Sequence, residues 1–141
     1  MDATMPSLLE CMERRKEQRS SLRRVLIVEE HAAVIDMLRW AFRLEGYETV
    51  VAESENWIEQ LIVRGNDFSA ILLDLSSRSW LNRDAAIQRL EKRWRSFHYR
   101  KLPLIVLTTS LSAERHVNGY PLIHKPFHVG ELLAKVESVV S

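Results

Sequence analysis

The sequence predicts an α/β protein: a doubly wound, five-stranded parallel sheet covered by helices on both faces, three layers in all. Three observations lead there. The runs Val25-Leu26-Ile27-Val28, Ala70-Ile71-Leu72-Leu73 and Leu104-Ile105-Val106-Leu107 are apolar without interruption, the pattern of strands buried on both faces. Between such runs, apolar residues recur at spacings of three and four, the helical period. Strand and helix patterns alternate along the chain, and a parallel connection has to cross the sheet, usually through a helix.

The elements follow in order. Val25 to Val28 is the first strand, ended abruptly by Glu29-Glu30. From Ala33 to Leu44 a helix places Val34, Ile35, Leu38, Ala41 and Phe42 on one side, and Gly46 supplies a helix C-terminus. Thr49-Val50-Val51-Ala52 is the second strand, followed from about Asn56 by a helix with Trp57, Leu61 and Ile62 inward and stopped at Gly65-Asn66. The third strand, Ala70 to Leu73, ends at Asp74 and leads to a helix carrying Ala86, Ile87, Leu90 and Trp94. After Pro103, Leu104 to Leu107 forms a fourth strand ending at Thr108-Thr109, and Tyr120-Pro121-Leu122-Ile123 a short fifth before His124-Lys125-Pro126. The last helix runs from about Val129 through Leu132, Leu133, Val136 and Val139. Trp40 and Trp57 are read as core residues on their helices.

A chain of 141 residues holds one core of ordinary size. Residues 1–21, with Glu10, Glu13, Arg14, Arg15, Lys16, Glu17 and Arg19 and few apolar positions, read as a charged extension, and 22–141 as the domain. The composition, 46% hydrophobic and 28% charged with four Gly and four Pro, excludes disordered, collagenous and membrane classes. A single cysteine, Cys11, excludes an internal disulfide, and no apolar run spans a membrane or forms a signal-peptide core, so the cytoplasm is expected. The basic run Arg89, Lys92, Arg93, Arg95, Arg100, Lys101, interleaved with Trp94, Phe97 and Tyr99, is expected to be a solvated helix face with an aromatic side on the sheet rather than a nucleic-acid contact.

In an open parallel sheet, ligands bind beyond the carboxyl ends of the strands. Those ends carry Glu29 and Glu30, Asp74, Thr108 and Lys125. A hard divalent cation such as Mg²⁺ takes carboxylate oxygens, which Glu30 and Asp74 can supply. An aspartate can act as the nucleophile that becomes an aspartyl phosphate, with hydroxyl and ammonium groups stabilising the transferred oxygens. Each residue also has a plainer reading: Asp74 as a loop cap, the glutamates as acidic residues before a helix N-terminus, Thr108 as a β-branched strand residue, Lys125 as a solvated loop residue. His124 and His128 lack the companions of a zinc site. No glycine-rich phosphate loop or nucleophile elbow occurs.

The motifs VLIVEE, ILLDL, LIVLTT and HKPF together resemble the receiver domain of bacterial response regulators, over roughly Arg23 to Val140. The resemblance implies the flavodoxin-like (CheY-like) fold. It implies Asp74 as phosphoacceptor, Thr108 as the hydroxyl that binds the phosphoryl oxygens and carries the activation signal, and Lys125 as their neutralising charge, before a proline bond that is usually cis. It implies Mg²⁺ held by Glu29, Glu30, Asp74 and the backbone carbonyl of Ser76. The implied partners are a sensor histidine kinase or phosphotransfer protein, an output domain or effector, and a second copy; no membrane and no nucleic acid are implied for this domain. Such a domain is not an enzyme beyond catalysing its own phosphorylation and dephosphorylation. The chain departs from the family pattern at Glu30, where aspartate is usual and the longer side chain must fold back or bind through water. It departs also at Thr109 in place of alanine, at Leu122 in place of an aromatic, in the loop Leu75 to Trp80, and in a Ser110 to Gly119 stretch with room for barely one or two helical turns. These departures motivate a second expectation, a pseudo-receiver that binds partners without phosphorylation. A flavodoxin-like domain for another ligand is a third, without a glycine loop to support it.

Overall fold

The computed structural model describes residues 7–10, 23–52, 55–63, 67–75, 83–109 and 114–140. Within them the chain runs β1 (Arg23–Val28), α1 (Ala32–Leu44), β2 (Tyr47–Ala52), α2 (Glu55–Val63), β3 (Ala70–Asp74), α3 (Arg83–Phe97), β4 (Leu104–Thr108), β5 (His116–Val117), β6 (Tyr120–His124) and α4 (Val129–Val140). The strand order is β2-β1-β3-β4-β6-β5. The five long strands are parallel, with β1 between β2 and β3. After β2 the chain reverses direction across the sheet, so the switch point lies between the carboxyl ends of β1 and β3.

Alternation along each central strand divides the core between two layers. Leu26, Ile71, Leu73, Leu104 and Val106 pack with Ile58 and Ile62 of α2 and Ile87, Leu90 and Trp94 of α3. Val25, Ile27, Leu72, Ile105 and Leu107 pack with Leu38 and Phe42 of α1 and Leu132 and Val136 of α4. Each such side chain contributes about 1.5–3 kcal/mol on leaving water. Gly46 ends α1 with φ 84°, a left-handed conformation that costs glycine nothing.

Two expectations about tryptophan are corrected. Trp40 is 66% exposed and Trp57 52% exposed. The buried stripe of α1 is Leu38, Ala41 and Phe42, and Trp40, two residues from both Leu38 and Phe42, lies about 200° around the helix from each. In α2 the stripe is Ile58 and Ile62 with Leu61 at its margin, leaving Trp57 outside it. On α3, Trp94 is buried and donates its indole N–H to the Arg100 carbonyl at 2.9 Å, whereas Phe97 and Tyr99 are exposed rather than packed on the sheet.

A second correction concerns the region before β6. Ser110 to Ala113 lie outside the described residues; at His116 and Val117 the chain forms the two-residue strand β5, antiparallel to β6, and no helical turn reaches His116. Asn118 (φ 50°) and Gly119 (φ 84°) make the turn, the Asn-Gly pair that suits a two-residue hairpin. The sheet therefore has a sixth, antiparallel edge strand. Of the N-terminal extension only 7–10 is described; residues 8–10 are helical, with Leu8 and Leu9 exposed.

Trp94→Ala is expected to cost about 3–5 kcal/mol of unfolding free energy in a urea titration, and Trp40→Ala less than about 0.5 kcal/mol. Tyr120 provides a pH test. Burial first, then the neighbouring Glu91 carboxylate, push its phenol up from 10.0 to about 12. Because the folded value is the higher, the stabilisation is complete below the ordinary tyrosine range and is lost as pH rises from about 10 through about 12. Stability measured across that window should fall in the native chain more steeply than in Tyr120→Phe.

Candidate functional site

The ends of β1, β3 and β6 bring three ionisable groups into contact. Glu29, one residue past β1, is 2% exposed, and Asp74, the last residue of β3, is 3% exposed. The Lys125 ammonium lies 2.6 Å from Glu29 Oε2 and 3.2 Å from Asp74 Oδ2. Two carboxylates taken from water are each expensive, and an ammonium bridging both supplies the compensating charge and hydrogen bonds.

Backbone geometry fixes each member. Leu73 of β3 pairs with Val28 of β1, and Asp74 with Leu107 of β4, so Asp74 lies beside the end of β1. The other Glu29 oxygen, Oε1, accepts hydrogen bonds from the backbone N–H of Glu30 and of His31, both at 3.2 Å. Lys125 follows β6 directly; its backbone N–H donates to the Thr108 carbonyl at 2.7 Å, tying β6 to β4, and its bond to Pro126 is cis. Thr108, 8% exposed, ends β4 one residue beyond the partner of Asp74.

Glu29, Asp74 and Lys125 thus meet, with Thr108 at the neighbouring strand end. Glu30 is exposed. Ser76 lies outside the described residues. One residue was not anticipated: His31, whose Nδ1 is 3.0 Å from Glu29 Oε1. Among the described residues, Glu29, His31 and Asp74 offer ligand atoms that all lie within 4.8 Å of one another. The acidic pair was the signal available in the sequence; a histidine immediately after it carries none by composition. Two carboxylates at the switch point suit the donor preference of Mg²⁺, so the residues present fit that ion.

No family model matches the chain. It is 30% identical over 125 residues to the phosphate regulon transcriptional regulatory protein PhoB of Escherichia coli, a match covering 84% of this chain and 52% of that protein. The chain therefore spans about half the length of the curated relatives it matches. Among solved structures, a CheY-like receiver domain from Methanospirillum hungatei superposes with a TM-score of 0.69 at 24% identity, covering 85% of this chain and 94% of that one. The chain has the CheY-like fold of response-regulator receiver domains. A receiver protein from Sinorhizobium medicae gives a TM-score of 0.68 at 11% identity, covering 84% of this chain and 94% of the other. The receiver domain of a Pseudomonas aeruginosa sensor histidine kinase, described with a magnesium ion coordinated in its active-site cleft, gives 0.65 at 19% identity, with 84% and 98% covered. Receiver domains are signalling modules. Among the described residues no helix is long and apolar enough to cross a membrane.

Lys125→Ala would leave Glu29 and Asp74 buried together without their shared cation. The expected loss is about 3–5 kcal/mol of unfolding free energy, read by chemical denaturation at neutral pH. A loss under about 1 kcal/mol would place the pair in the range of solvent-screened surface bridges.

Proposed function

We propose that this receiver domain accepts a phosphoryl group on Asp74 from a sensor histidine kinase or phosphotransfer protein and passes the signal on through a change at its β4 and β6 ends. The observation that carries the reading is the Lys125 ammonium joined to both Glu29 and Asp74 at the switch point. An Asp74 carboxylate oxygen attacks phosphorus, the new O–P bond forms, and the P–N bond to the donor imidazole breaks; the imidazole leaves with its electron pair and takes a proton. Lys125 turns from the Asp74 carboxylate toward the transferred oxygens and neutralises them, and the Thr108 hydroxyl donates to one of them. Glu29 and Asp74 would hold Mg²⁺, with Glu30 reaching through water and the Ser76 carbonyl as a further ligand. When bound, the ion supplies positive charge to the phosphoryl oxygens. The domain turns over no substrate beyond its own phosphorylation and dephosphorylation.

The match to part of a transcriptional regulatory protein supports an output domain or effector as the downstream partner. A homodimer is the other assembly this reading admits, and the cytoplasm is where the kinase would meet it. Nucleic acid is assigned no direct contact with this domain.

A second reading, the pseudo-receiver, is favoured by two observations: Glu30 is exposed, and His116–Val117, at the end of the shortened stretch, form a strand paired with β6. One experiment separates the two. Incubated with a small phosphodonor and Mg²⁺, the intact chain should gain the mass of one labile phosphoryl group, and Asp74→Asn should gain none. No adduct on the native chain, or one that survives Asp74→Asn, would overturn the first reading.

A further inference from the structure

We propose that His31 is a ligand of the cation site, and that its imidazole turns the site's preference from magnesium toward a borderline divalent transition ion such as cobalt(II) or zinc. The inference deepens the reading of Glu29 and Asp74 as the cation-holding pair, and rests on it.

Position comes first. His31 stands at the N-cap of α1, where Ser, Thr, Asp or Asn usually accepts a hydrogen bond from the first helical turn. Its side chain makes no capping bond. The ring is turned back instead toward the strand ends, with Nδ1 3.0 Å from Glu29 Oε1. The ring is thus engaged with the carboxylate pair and not with the helix it precedes.

The donor set follows. Glu29 is held ready by two backbone N–H groups on Oε1 and by Lys125 on Oε2. Asp74 shares that ammonium. The third donor atom within 4.8 Å comes from His31, while the neighbouring carboxylate, Glu30, is exposed and outside the group. Two oxygens and one imidazole nitrogen differ in kind from an all-oxygen set. Magnesium dehydrates reluctantly and is poorly served by imidazole. Zinc, cobalt and nickel gain from the nitrogen, in the order of the Irving–Williams series. The His31 side chain is 71% exposed while that of Glu29 is fully buried, so the histidine lies on the solvent side, where an ion would enter. Binding through Nδ1 requires that nitrogen to carry its lone pair, with a ring proton on Nε2.

The test uses the full chain without phosphate. Cobalt(II) is titrated in and its visible absorption recorded, then Mg²⁺ is added as competitor. The native chain should bind cobalt at least about tenfold more tightly than Mg²⁺. His31→Ala should weaken cobalt by about tenfold or more and alter the cobalt bands, as loss of a nitrogen ligand does, while Mg²⁺ affinity changes less than about twofold. His31→Asp should keep Mg²⁺ binding and lose the preference for cobalt. Unchanged cobalt affinity and bands in His31→Ala would overturn the inference, and so would equal weakening of both ions, the mark of a merely structural role. The phosphoryl adduct is weighed separately. An adduct formed with Mg²⁺ beside an indifferent His31→Ala titration defeats this inference and leaves the receiver function standing. Cobalt bound through His31 beside no adduct does the reverse.

Discussion

The ammonium of Lys125 is the interaction on which the rest of the site depends. It closes a triangle with Glu29 and Asp74, two carboxylates with almost no exposed surface. Burying two such groups is costly without a cation between them. The three residues come from the ends of β1, β3 and β6, which are not consecutive in sequence, and the strand order β2-β1-β3-β4-β6 brings them to one edge of the sheet with only β4 between β3 and β6. The sheet's topology and the site's electrostatics are therefore one constraint seen twice. A register slip at β3 would send Asp74 to the opposite face and leave Glu29 and Lys125 with an incomplete partnership.

On the proposed phosphoryl-acceptor reading, the same constraint serves chemistry more than stability. A buried ion pair adds little to stability compared with an apolar replacement of the same shape. Its retention at a switch point, beside a hydroxyl at the end of β4, is better accounted for by a group that arrives and needs positive charge. The Lys125 ammonium is within reach of both carboxylates, and its backbone N–H ties the end of β6 to Thr108 at the end of β4.

Much of the fold was legible because its signals are local or periodic. The apolar runs at β1, β3 and β4, the helical spacing in α1 and α4, and Gly46 at the end of α1 each carry their structure in a few residues. Convergence of Glu29, Asp74 and Lys125 was legible only because strand ends in such a sheet are known to meet. The misreadings have physical causes. Trp40 and Trp57 were assigned inward on hydrophobicity, but their phase around the helix opposes it, and phase decides. The hairpin at Asn118-Gly119 carried a strong local signal that the expectation of alternating helices overrode.

His31 shows the limit of reading a site from residue types. As a residue following an acidic pair and preceding Ala32, it has the sequence signature of nothing. Its placement comes from a rotamer, turned from the helix it precedes toward a carboxylate two positions back, and rotamers are set by surroundings that a linear pattern does not contain. Glu30 makes the complementary point: a carboxylate in the expected position is exposed while its neighbour Glu29 is buried. A substitution of glutamate for aspartate at such a pair thus does more than lengthen one ligand. It leaves a coordination position that the adjoining imidazole, already 3.0 Å from Glu29, is placed to take.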